Sequence, residues 1–155
     1  LEDYNQAIVY DENLAIAYFH RGDVKFVMDK YTDAIEDYSK AISMGVKDPV
    51  LFNNRGKAYY KVQNYPSAIE DFTAAINRND QYVKAYDNRG EVFFLTEKFD
   101  AAIADYRMVE KLTEKPGVAV YRALGDAYYN TRKFPLALGY YDKLVDAGIR
   151  DKDVF

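Results

Sequence analysis

The chain has 155 residues, with 21 Lys and Arg against 25 Asp and Glu, a formal net charge of −4 at pH 7. That balance argues against nucleic acid as the main partner, because phosphate binding needs clustered positive charge, and against a basic membrane-surface helix. No apolar run approaches the roughly 20 residues of a membrane span, and the lack of cysteine excludes disulfides, thiolate metal sites and a cysteine nucleophile.

Residues 1–14 read as a lone second helix of a pair, since Leu1-Glu2-Asp3-Tyr4 matches Ile35-Glu36-Asp37-Tyr38 and Ala7 matches Ala41. Residues 15–48 form the first full unit. Its first helix (helix A) runs from Ala15 to about Met28, a polar break falls at Asp29-Lys30, and helix B runs from about Thr32 to Met44. Ala34, Ile35, Tyr38, Ala41 and Ile42 make the apolar stripe of helix B at i, i+3, i+4, i+7 and i+8.

The second unit, 49–82, breaks at Gln63-Asn64, and Pro66 follows where a first helical turn tolerates proline. The third, 83–117, carries one extra residue, which the segment Thr113-Glu114-Lys115-Pro116-Gly117 absorbs as a loop. The fourth, 118–151, has Pro135 in the same place as Pro66. Residues 152–155 read as the start of a further unit, because Gly148 to Phe155 parallels Gly45 to Phe52. The chain is therefore expected to be an internal piece of a longer array, with uncapped end helices that favour end-to-end self-association.

These units repeat in register. Gly22, Gly56, Gly90 and Gly125 recur at steps of 34, 34 and 35 residues. Ala34, Ala68, Ala102 and Ala137 keep the same beat, as do three aromatic series, among them Tyr38, Phe72, Tyr106 and Tyr141. One period shared by independent series means a solenoid of stacked helical pairs. Glycine inside a helix costs roughly 0.5–1 kcal/mol against alanine. Four such glycines point to a close approach of helix A to helix B, with the small alanine of helix B expected opposite.

A second pattern covaries within the chain. Arg21, Arg55 and Arg89 precede the first three glycines, and sixteen residues on stand Asp37, Asp71 and Asp105; in the fourth unit both change together, to Leu124 and Tyr140. This favours an Arg–Asp pair bridging helices A and B within each unit. Pairing with the preceding unit's aspartate, Arg21 with Asp3, ranks second because it leaves Asp105 facing Leu124. Either pair is structural and sets register.

The tracts His20-Arg21-Gly22, Asn54-Arg55-Gly56 and Asn88-Arg89-Gly90, with Ala34-Ile35-Glu36-Asp37-Tyr38 and its equivalents Ala68 to Phe72 and Ala102 to Tyr106, resemble the tetratricopeptide repeat. Departures are mild: Tyr or Phe stands for the early tryptophan, Lys25 for a tyrosine, and Glu12, Val46 and Asp80 for the closing proline. The resemblance implies an all-α, right-handed superhelical solenoid of antiparallel helix-turn-helix repeats over the whole chain. It implies peptide or protein binding in a concave groove lined by the A helices, without catalysis.

The positions expected to face that groove are Phe19, Asp23 and Phe26 in the first full unit and Asn53, Lys57 and Tyr60 in the second. Lys84, Asp87, Glu91 and Phe94 follow, then Arg122, Asp126 and Tyr129. Phe26, Tyr60, Phe94 and Tyr129 form an aromatic row that suits peptide anchoring; packing between helices accounts for it equally well. Tetratricopeptide co-chaperones grip C-terminal carboxylates with two Lys, two Asn and a further Arg or Lys. The matching positions here read Phe19, Asp23, Asn54, Lys84 and Asn88, and one unit along Asn53, Lys57, Asn88, Ala119 and Ala123. Asp23 would repel the carboxylate, so that clamp is not expected.

Nothing supports an enzyme, a metal or a cofactor. The single His20 lies beside Arg21 on helix A with no other His and no Cys, and neither GxGxxG nor a P-loop occurs. The expected function is a non-catalytic protein-interaction scaffold. Its alternatives are a homo-oligomerisation module and a substrate-recruiting array of a larger enzyme or transport protein. The compartment is left open.

Overall fold

The computed structural model describes residues 2–11 and 14–146, and among them it holds nine α-helices and no strand. They are α1 (Glu2–Tyr10), α2 (Ala15–Val27), α3 (Tyr31–Ser43), α4 (Pro49–Lys61), α5 (Tyr65–Arg78), α6 (Val83–Leu95), α7 (Phe99–Leu112), α8 (Val118–Asn130) and α9 (Phe134–Asp146). In the first full unit the two helices and the break between them lie within a residue or so of their expected places, and residues 113–117 link α7 to α8. The expected start of a further repeat at 152–155 lies outside the described residues.

The chain divides into two compact units, 1–85 and 86–155. In the first, α2 packs on α3, α3 on α4 and α4 on α5, with α1 against α2; in the second, α7 packs on α8 and α8 on α9. The short links 28–30, 62–64 and 131–133 force the helices they join to run antiparallel.

Those links share one geometry. Asp29, Gln63, Glu97 and Arg132 each take a positive φ, between 58° and 61°. After α2, the Asp29 N–H donates to the Phe26 carbonyl and the Lys30 N–H to the Lys25 carbonyl. This is a Schellman closure, which turns two orphan carbonyls inward and stops the helix sharply. Gln63 and Asn64, Glu97 and Lys98, and Arg132 and Lys133 repeat it. Gly45, at φ +94°, closes α3 in the same way. Asp48 caps α4 by accepting from the Val50 N–H at 2.8 Å, and Asn64 caps α5 by accepting from that of Ser67 at 3.3 Å.

The core lies between paired helices. Ala34, Ala68 and Ala102 are fully buried and Ala137 nearly so, while Tyr38 and Phe72 are each only 1% exposed. Burying such a ring stabilises by roughly 2–3 kcal/mol. The glycines differ from expectation in their partner. The atoms closest to a Cβ built on Gly22, Gly56, Gly90 or Gly125 belong to the rings of Tyr38, Phe72, Tyr106 and Tyr141, at 2.7, 2.7, 3.0 and 2.5 Å. The edge of a ring, not the alanine methyl, occupies the space a side chain would need.

The Arg–Asp pairs are those within each unit. Arg21 meets Asp37 through Nε and Nη2 at 2.8 and 2.6 Å, Arg55 meets Asp71 at 2.7 and 2.7 Å, and Arg89 meets Asp105 at 2.8 and 2.7 Å. Two parallel N–H bonds to one carboxylate fix the rotation of helix A against helix B. The remaining guanidinium nitrogen reaches the preceding helix B: Arg21 Nη1 donates to Asn5 and Arg55 Nη1 to Ser39, each at 3.0 Å. Lys25 adds a second cation 2.8 Å from Asp37.

Candidate functional site

Helices α2, α3 and α4 leave a recess of about 290 Å³, lined by Asp23, Phe26, Val27, Tyr38, Asn54 and Lys57. The helical spacing 23, 26, 27 puts three of these on one face of α2, and Asn54 and Lys57 occupy the facing side of α4. Asp23 Oδ1 accepts from the Tyr38 hydroxyl and from the Asn54 side-chain amide, both at 3.0 Å. Its Oδ2 has the exposed His20 Nδ1 at 3.5 Å. Burial and the adjacent Asp23 push the Tyr38 hydroxyl up, so it remains a donor. The Lys57 ammonium rests 5.1 Å from the centre of the Phe26 ring.

The remaining expected site residues distribute unevenly. In the first unit Phe19 and Asn53 are 6% and 3% exposed, with Phe19 packed against Tyr38, which leaves little of either to touch a ligand. Lys84 is exposed. In the second unit Asp87 and Glu91 stand one turn apart on α6, where burial and Glu91 push the Asp87 carboxyl up. Asp126 accepts from the Tyr141 hydroxyl at 2.9 Å, and burial together with Asp126 pushes that hydroxyl up to about 12. Arg122 is half-buried on α8.

Each ring of the aromatic row has an aromatic packing partner. Phe26 meets Tyr31, Phe94 meets Phe99 and Tyr129 meets Phe134 edge-on at 5.3, 5.3 and 5.6 Å, and Tyr60 meets Tyr65 at 6.1 Å. Each ring of helix A thus lies on the first residue of its own helix B. Phe26, Tyr60 and Phe94 are half-buried by it, and Tyr129 stays 58% exposed.

Two contacts of the site escaped the sequence reading although a signal existed. The acid at positions 23, 91 and 126 goes with tyrosine at 38, 106 and 141, whereas Lys57 goes with Phe72, which has no hydroxyl. That covariation marks the hydroxyl-to-carboxylate bond seen at Asp23 and Asp126. The Asn54 to Asp23 bond crosses from one hairpin to the next and has no such repeat. Among the described residues no group of His, Asp and Glu could hold a metal ion, and no helix is long and apolar enough to cross a membrane. His20 stacks on Phe19 at 5.2 Å and makes no nucleophile–base pair.

A family profile described as tetratricopeptide repeat matches residues 53–117. The first TPR of Spaghetti (RPAP3), solved with the HSP90 peptide SRMEEVD, is 30% identical with a TM-score of 0.64, over 81% of this chain and 93% of that one. The second TPR domain of human RPAP3, solved with the HSP70 peptide SGPTIEEVD, is 33% identical with a TM-score of 0.67, over 73% and 93%. MamA shares the fold at 22% identity and a TM-score of 0.87, over 92% of this chain and 83% of its own. No curated protein sequence matches the chain.

Proposed function

The chain belongs to the tetratricopeptide repeat family, a family of protein-interaction scaffolds, and on that premise we propose that it binds a peptide segment of a partner protein at the recess between α2 and α4. The observation that carries this reading is the recess itself. It joins an aromatic and aliphatic wall, Phe26 and Val27, to the mutually bonded Asp23 and Asn54 and to the Lys57 ammonium. Apolar area with a few placed polar groups is what peptide anchoring uses. The two RPAP3 domains were solved with the acidic peptides SRMEEVD and SGPTIEEVD. Here the Asp23 carboxylate lines the recess, and its charge opposes an acidic anchor there.

The test is selection of displayed random peptides on the chain, followed by titration of the enriched ones against wild type and Asp23→Lys. A consensus that binds about tenfold more weakly to the variant is the expected result. No enrichment, or binding indifferent to the variant while its circular dichroism is unchanged, overturns the reading.

A second reading, self-association, is favoured by Val9 and Tyr10 on α1, 87% and 95% exposed, and by Leu136, Leu138 and Val145 on α9, each more than half exposed. Light scattering across a concentration series tests it. A Val9→Ser, Tyr10→Ser variant should lose any association seen.

A further inference from the structure

The acidic side chains of the array fall into two kinds. Asp37, Asp71 and Asp105 each hold a guanidinium through two bonds. Asp23 is held instead by the neutral donors Tyr38 and Asn54, with the His20 ring nitrogen 3.5 Å away. Both neutral bonds go to Oδ1, so Oδ2, with only the His20 ring nitrogen at 3.5 Å, keeps acceptor capacity to spare on a carboxylate that lines the recess. The carboxylate is oriented before any ligand arrives, so little ordering cost remains for binding.

The opposite wall is suited to a cation as well. The Phe26 ring already carries the Lys57 ammonium at 5.1 Å, which identifies an accessible aromatic face inside the same 290 Å³ recess. A planar guanidinium fits both features together, because it can stack on a ring while its edge meets a carboxylate. A lysine could use Asp23 but would match the ring less well.

From this geometry we infer that the recess is an arginine-reading subsite, in which the guanidinium of a partner peptide bonds Asp23 Oδ2 and lies on Phe26, displacing Lys57. The inference rests on the recess being the peptide site, and it names the chemistry of that site. Lys57 is then the competitor for the ring, and Asp23 the residue that rejects acidic anchors.

The test is an NMR titration of the intact chain at millimolar probe, following the Asn54 side-chain amide and the backbone amides of residues 23–27 and 54–57. The probes are acetyl-Gly-Arg-Gly-amide, its Lys analogue and its Glu analogue. The arginine probe should shift these signals saturably and the Lys analogue less, with the Glu analogue inert. Asp23→Asn, which preserves shape, should weaken the arginine response about tenfold, the size of one lost charge-assisted contact. Lys57→Ala should strengthen it. Equal response to the Glu probe, persistence in Asp23→Asn, weakening in Lys57→Ala, or no response at all overturns the inference. Selected peptides that bind the recess through an acidic or apolar anchor overturn it too, and leave the peptide-binding reading standing.

Discussion

Arg107 on α7 donates from Nη1 to the Tyr140 hydroxyl on α9 at 2.8 Å, and the hydroxyl in turn donates to Glu110 at 2.9 Å. Tyr140 stands where the earlier hairpins have aspartate, and Leu124 where they have arginine. Arg107 occupies the position of Ser39, the residue that accepts from Arg55 Nη1. The guanidinium has moved from helix A to the neighbouring helix B, and the bridge between adjacent B helices survives. Lys143 completes the group, 2.9 Å from Glu110 and 4.4 Å from the Tyr140 ring centre.

That substitution defines an experiment on the central hairpin. Asp71→Ala leaves the Arg55 guanidinium, itself mostly buried, without its partner, and should cost about 3 kcal/mol in urea unfolding. The triple Ser39→Arg, Arg55→Leu, Asp71→Tyr brings the Arg107, Leu124 and Tyr140 arrangement to the central hairpin and should recover more than half of that loss. A triple variant no more stable than Asp71→Ala would show that the Arg107–Tyr140 type of bridge does not replace the Arg55–Asp71 pair.

Gly56 should not accept alanine. Its Cβ would lie 2.7 Å from Phe72 Cε1 and 3.2 Å from the Asp71 Cβ, and Phe72 is too enclosed to retreat. Gly56→Ala should destabilise by about 1–3 kcal/mol, and Gly56→Leu by more. Phe72→Leu in the same chain should relieve part of the Gly56→Ala defect. Additive losses in thermal unfolding would refute the steric relation.

The left-handed turn residues predict a gain. Gln63 holds φ 61° with a Cβ in the way, so Gln63→Gly should stabilise by about 0.5–1 kcal/mol once the flexibility of glycine in the unfolded chain is offset. Gln63→Val should lose stability at the same position, because branching at Cβ worsens the clash. Chemical denaturation of the two variants reads both signs.

The acid limb of stability should depend on Arg21. Burial pushes the Asp37 carboxyl up, but the Arg21 and Lys25 bonds outweigh it and hold the group below its ordinary range. A carboxyl lower in the folded than in the unfolded state stabilises fully above the unfolded value, about 4, and loses that stabilisation as pH falls through the folded value. Melting temperature should therefore fall below about pH 5 in the wild type. Arg21→Met should flatten part of that fall. An unchanged profile would mean that Asp37 keeps its shift through Lys25 alone.

The helices and their pairing were legible because repetition averages out accident. One aromatic at residue 38 says little, but Tyr38, Phe72, Tyr106 and Tyr141 on one beat say that the position is core. The Arg–Asp pair was legible for the same reason, since Leu124 and Tyr140 changed together. The left-handed residues were not, because Asp29, Gln63, Glu97 and Arg132 share a conformation without sharing a residue type, and none is glycine. Their φ is imposed by the Schellman closure of the whole turn.

Taken alone, then, the sequence determined the period, the helix pairs and the intra-unit ion pairs, all of which rest on spacing along one chain and on local helical geometry. Only the tertiary structure decided what meets what at atomic distance: the ring edge over each glycine, the aromatic row folded onto its own helix B, and Asp23 held by Tyr38 and Asn54 across two different helices. Those contacts depend on the angle and separation at which neighbouring helices settle, and packing sets that distance where sequence spacing cannot.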